Sequence, residues 1–123
     1  MAITTNVIKG GLAFNEIGSD PTGSVGFDTD ANGSIETRED EFIEIINVSG
    51  GPISLAGVEI WEDQLVHSFT SGTLAAGEAL LILDNDADLT SAQAAYPGAQ
   101  VVLASGALAL GNTGDGLALV DTA

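Results

Sequence analysis

Short apolar runs, each closed by a glycine-bearing turn, recur along the whole chain. Sixteen glycines in 123 residues fall mostly between these runs, which is the spacing of an all-β domain with tight turns. Predicted strands are Gly11–Ile17, Glu41–Asn47, Val58–Glu62, Val66–Phe69, Ala79–Leu83, Gln100–Leu103, Ala107–Leu110 and Leu117–Asp121. The intervening VSGGP, SGTLAAGE and GNTGDG are rich in residues that tolerate turn geometry. One segment departs from the pattern. Thr90–Tyr96 (TSAQAAY) is alanine-rich, follows candidate caps at Asp88 and Thr90, and is closed by Pro97-Gly98; it predicts one short helix. In Glu41–Asn47 the apolar residues also fit helical spacing, but three isoleucines and the VSGGP stop favour a strand. Many short strands with a lone helix predict an all-β fold, a β-sandwich. No repeat of 20–50 residues and no heptad pattern is present.

The length suits one domain with a single modest core. Residues 1–10 are read as a tail or first edge strand and 11–123 as the domain. Two cations, Lys9 and Arg38, face 18 acidic residues, a formal net charge of −16, although 45% of residues are apolar. Such a composition predicts a folded core inside a negative shell that repels itself unless a cation offsets part of it. Direct nucleic-acid binding is disfavoured, because replacing phosphate counter-ions needs many Lys and Arg side chains. No apolar run is long enough for a membrane span. There is no cysteine, and the opening MAITTNVIKGG lacks a signal-peptide pattern. These features fit either a cytosolic protein or a piece of a larger exported chain.

The acids are most concentrated in DTDANGSIETRE, residues 28–39, which runs directly into DEFIEIIN. Asp28, Asp30, Asn32, Gly33, Ser34, Glu36 and Glu39 occupy positions 1, 3, 5, 6, 7, 9 and 12 of a calcium-loop pattern. A cation of calcium's size takes six to eight oxygens at about 2.3–2.6 Å, and alternate side chains of a tight loop can converge on it. Ser34 would contribute its carbonyl, and Glu36 would bind directly or through water. Glu39 would close the shell with both oxygens. Calcium is preferred to zinc, since thiolates are absent and the one histidine, His67, lies elsewhere. Pro21, Gly23 and Gly26 upstream exclude the entering helix of an EF-hand. Asp20, Asp40, Glu41 and Glu44 are near enough in sequence to lend further ligands.

FNEI (14–17), the acidic loop, DEFIEIIN (40–47), ISLAGVEIWED (53–63), FTSGTLAAGEALLIL (69–83) and LALGNTGDGLALVD (108–121), in that order, resemble a bacterial lamin-tail domain. The resemblance covers about residues 12–121. It departs from the family at Gly111, which precedes Asn112 in the late turn, and at Ala123, beyond which family members often continue into a closing strand. The resemblance implies an immunoglobulin-like β-sandwich without catalysis of its own, found in exported multidomain proteins. A filament role does not transfer, because the chain has no heptads. The expected function is therefore a calcium-binding, non-catalytic, secreted binding or scaffolding module whose ligand is an unknown protein or surface. The alternative is an accessory domain that presents substrate to a secreted nuclease- or phosphatase-type hydrolase.

Weaker signals have structural readings. DNDAD (84–88) alternates Asp84, Asp86 and Asp88 but lacks the glycine and closing acid of a cation loop, so capping the helix is the preferred reading and a weak second cation site the alternative. GNTGDG lacks the Lys-Ser/Thr of a phosphate loop and is read as a hairpin turn. His67 is expected to pack or lie at the surface, and Trp61 and Tyr96 to anchor the core. No serine elbow or cysteine nucleophile is present, and no two acids stand out as a catalytic pair.

Overall fold

The computed structural model describes residues 2–3, 7–18, 28–36, 40–62, 64–106, 108 and 116–123. Its elements are β1 (Ala2–Ile3), β2 (Val7–Ile8), β3 (Leu12–Gly18), β4 (Phe42–Asn47), β5 (Ile53–Ser54), β6 (Val58–Trp61), β7 (Leu65–Ser68), β8 (Thr73–Leu74), β9 (Ala79–Leu83), α1 (Leu89–Ala95), β10 (Gln100–Leu103) and β11 (Gly116–Asp121). One sheet has the order β10-β9-β4-β3-β2 and another β1-β11-β6-β7, with β5-β8 as a short pair. The fold is an immunoglobulin-like β-sandwich with one short helix.

Alternation along the strands builds the core. In β4, Ile43, Ile45 and Asn47 are buried while Phe42, Glu44 and Ile46 face the other way. Ile43 and Ile45 join Leu80 and Ile82 of β9, and meet Val58, Ile60, Leu117 and Leu119 of the opposing sheet, in one cluster. That is the interdigitated interior of a sandwich. Strand β3 needs a correction to stay in phase. Its register against β4 runs Phe14↔Ile45, Glu16↔Glu44 and Ile17↔Ile43, with an irregularity between Phe14 and Glu16. The extra residue, Asn15, lets both Phe14 and Ile17 pack on the core although they are three apart.

The outer face of the larger sheet is also covered. Strands β9 and β10 pair in parallel, which requires a crossover, and α1 supplies it. Leu81, Leu83 and Val101 pack with Ala87 and Ala92 in a second cluster, against which Phe42, Leu89 and Tyr96 are partly buried. The helix starts at Asp88, whose side chain accepts the Ser91 amide at 3.0 Å and the Ser91 hydroxyl at 2.8 Å. The DNDAD segment thus caps the helix, as its spacing suggests. Asp84 is fully buried, accepting the amides of Leu108 and Asp86.

Most predicted strands lie within a residue of those found. Within residues 1–10 the described residues form two short strands, β1 and β2. The predicted strand 107–110 falls largely outside the described residues, as does most of GNTGDG. Trp61 corrects an expectation: it does not anchor the core but is 37% exposed, its indole nitrogen donating to Glu59 at 2.9 Å. Val58 and Ile60 take the inward positions of β6, so parity turns Trp61 outward.

Asn47 closes β4 as a buried polar clamp. Its amide nitrogen donates to the carbonyls of Gly51 and Leu74, and its oxygen accepts from the Ser49 amide and hydroxyl. Asn47→Ala would strand the buried Leu74 carbonyl and remove the bonds that hold the half-buried Ser49–Gly51 turn. We expect it to cost about 2–4 kcal/mol and to lower Tm by roughly 10 °C, read by denaturant and thermal unfolding.

Candidate functional site

The acidic loop precedes β4 and is wound tightly. Ala31 (φ 58°) and Gly33 (φ 98°) both occupy the left-handed region, which glycine accepts readily and alanine does not. Asp28 accepts the amides of Asn32 at 3.1 Å and Gly33 at 2.9 Å. Asp30 accepts the Asn32 amide at 3.1 Å and, from across the fold, the Asp88 amide at 2.7 Å. Loop and helix are thereby tied together. Asn32 adds its side-chain nitrogen to Asp30 at 3.2 Å and accepts the Ser34 amide on its oxygen at 2.8 Å.

Asp40, just beyond the loop, gathers it from below. One carboxylate oxygen accepts the amides of Thr29 at 2.7 Å and Asp30 at 3.2 Å, and the other that of Glu36 at 2.7 Å. The Thr29 hydroxyl donates back to the Asp40 carbonyl at 2.8 Å. Oxygens of Asp28, Asp30 and Asp40 lie within 4.8 Å of one another. Asp30 and Asp40 are 0% and 1% exposed. Burial raises the Asp30 pKa above its ordinary carboxylate value, and the Asp40 charge raises it further, against the pull of the Asp88 and Asn32 amides. Among the described residues the one Lys or Arg is Lys9, whose ammonium lies 3.7 Å from Asp121 and 3.3 Å from the Ala56 carbonyl.

Of the sequence-predicted ligands, Asp28 and Asp30 meet in this group, and Asn32 bonds directly to Asp30. Ser34 is exposed at the loop tip, and Glu36 is partly buried with its amide on Asp40 but is not part of the carboxylate group. Glu39 and Asp20 lie outside the described residues. The third carboxylate is Asp40, whose signal was its place at the head of DEFIEIIN. Neither Glu41, buried, nor Glu44, on the outer sheet face, belongs to the group, and among the described residues neither does any acid of DNDAD. Asp30 Oδ2 and Asp40 Oδ1 each already accept two donors. The two Asp28 oxygens accept one main-chain amide each, and a carboxylate oxygen with one donor keeps a second acceptor direction.

His67 stacks edge-on against Phe69, with centroids 4.5 Å apart, and its Nδ1 lies 3.1 Å from the Ser105 hydroxyl. It is a packing histidine in structural terms. No helix among the described residues is long and apolar enough to cross a membrane.

Fold and site together define an immunoglobulin-like module with an acidic loop pinned between a central strand and its one helix. The lamin tail domain family model matches residues 8–123, and the chain belongs to that family. Lamin tail domains are a binding or scaffolding type of domain rather than an enzyme family. No curated protein and no solved structure matched the chain.

Two outcomes follow from this geometry. Asp40→Asn would place an amide donor against backbone donors. It should destabilise the domain by about 2–3 kcal/mol in EDTA and speed hydrogen exchange at Thr29 and Glu36. Burial holds the His67 pKa below its usual 6.5. The unfolded chain therefore takes up the proton first, and stability falls as pH drops below about 6.5. His67→Gln should flatten that part of the profile in pH-dependent denaturation.

Proposed function

We propose that this domain is a calcium-stabilised, non-catalytic binding or scaffolding module of a larger exported bacterial protein, working outside the cell. The observation that carries the reading is the convergence of Asp28, Asp30 and Asp40, two of them buried, at a point no described cation neutralises. Three carboxylates so close repel one another, and a bound divalent cation would remove that repulsion while taking the oxygen lone pairs that the amides leave over. In the sequence pattern Asn32, the Ser34 carbonyl, Glu36 and Glu39 would supply the remaining oxygens of a set suited to a hard cation. Zinc is a poor fit, because the chain has no cysteine and its one histidine lies against Phe69 and Ser105. External calcium is millimolar, enough to fill even a weak site, which is why the reading favours an extracellular setting.

A cation bound by the folded state alone raises stability by mass action. At a hundredfold excess over Kd the gain is about 2.7 kcal/mol, or roughly 8–10 °C in Tm. A thermal melt in millimolar calcium should show that rise over EDTA, and magnesium should reproduce little of it. Asp28→Asn with Asp30→Asn should abolish the calcium response. If the wild type melts at the same temperature in all three conditions, the calcium reading is wrong, and the loop is an acidic turn held by its amide bonds.

A further inference from the structure

A groove of about 280 Å³ opens on the outer face of the larger sheet, beside the C-terminal end of α1. Phe42, Leu81 and Tyr96 form apolar walls, Glu16 and Glu44 bring carboxylates, and Thr29 of the acidic loop closes one side. Glu16 and Glu44 sit directly opposite one another in the β3–β4 register. Like charges in that position destabilise a sheet. The irregularity between Phe14 and Glu16 creates the pairing, because it re-aims Glu16 across from Glu44. Asn15, the inserted residue, donates to Glu44 at 2.5 Å and so fixes one carboxylate of the pair. Phe42 is seated with equal care: a Cβ on Gly18 would come within 2.3 Å of its ring, so the glycine makes room for it. No cation among the described residues serves the pair, since Lys9 is committed to Asp121 and Ala56.

We propose that this groove binds the lysine or arginine side chain of a basic segment of a partner protein. The aliphatic stem would lie against Leu81 and the rings, and the cationic head between Glu16 and Glu44. Aromatic faces attract a cation, and more so when it is partly desolvated. Paired carboxylates on one side match the guanidinium fork in particular. The field in the groove has the same sign from a second direction. Burial, and then the charges of Asp28, Asp40 and Asp30, raise the Tyr96 phenol above its ordinary pKa. A net charge of −16 would also speed the encounter with a basic partner.

The test must separate a built site from general attraction to an acidic surface. A blocked pentapeptide with one arginine among four glycines is titrated into the 15N-labelled domain at low ionic strength, with a norleucine peptide as control. Saturable shifts confined to the amides around Glu16, Phe42, Glu44 and Tyr96 are expected for the arginine peptide, and none for norleucine. Glu16→Gln with Glu44→Gln should weaken binding about fivefold to tenfold. Glu59→Gln with Asp121→Asn removes the same charge from the other sheet and should change it less than about twofold. Relief of the cross-strand repulsion should leave the first variant at least as stable as the wild type, so its loss of binding would not reflect unfolding. Equal weakening in both variants, shifts spread over the whole acidic surface, or no saturable binding would overturn the proposal. So would displacement of the peptide by calcium chloride through binding at Glu16 and Glu44. The calcium response is assigned by the Asp28→Asn/Asp30→Asn variant and peptide binding by the Glu16→Gln/Glu44→Gln variant, so either reading can fail while the other stands.

Discussion

Strand β4 carries much of the registration of the domain, because, like β9 beside it, it has neighbours on both edges and cover on both faces. Strands β3 and β9 pair along its edges. Ile43 and Ile45 enter the sandwich core, and Phe42 packs on the outer cluster beneath α1. A one-residue slip would exchange these two faces and bury Glu44. Polar clamps at both ends oppose such a slip. Asp40 holds the acidic loop before the strand, and Asn47 holds the following turn and the Leu74 carbonyl after it. Each clamp satisfies several backbone groups with one short side chain, and a shift would break them together.

The acidic composition is compatible with folding because many carboxylates serve as backbone acceptors. Asp28, Asp30, Asp40, Asp84 and Asp88 each accept at least one main-chain amide. Hydrogen bonds from amides stabilise the charged form, the role that lysine and arginine play in a more balanced protein. The arrangement has a limit. Amides supply partial dipoles, whereas three carboxylates within 4.8 Å carry whole charges. The residual repulsion falls at the loop, where the sequence also concentrates the residue types that ligate hard cations.

Much of this was legible in the sequence, and the reasons differ by element. Alternation in FIEIIN and the glycine-bearing turns located the strands, since period and punctuation are local properties. Asp88 announced the helix because capping involves residues only three apart. The acidic loop showed its composition, but its third carboxylate came from outside the ligand positions of the pattern. Asp40 is set in place by the turn into β4, which spacing alone does not encode. Trp61 was misjudged by size when parity with Val58 and Ile60 should have decided. The Glu16–Glu44 pair was illegible for a different reason. It depends on an inter-strand register between residues 28 apart in sequence, altered by one irregularity.

The loop and the groove are mechanically joined, although different groups define them. Thr29 lies between the two: its amide and hydroxyl are fixed by Asp40, and its body walls the groove. Asp30 extends the connection to the amide of Asp88, the residue that starts the helix whose far end carries Tyr96. Any cation that stiffens the loop therefore stiffens two walls of the groove. Ordering those walls in advance removes part of the entropy that a binding partner would otherwise have to offset. The converse also holds, because two sites sharing one ordered element are linked reciprocally. The strength of any such coupling depends on how much freedom the loop retains with no cation bound, and the amide bonds to Asp28, Asp30 and Asp40 already restrict it. The loop is thus best understood as a brace. Its carboxylates act first on their own backbone, and through it on the groove beside α1.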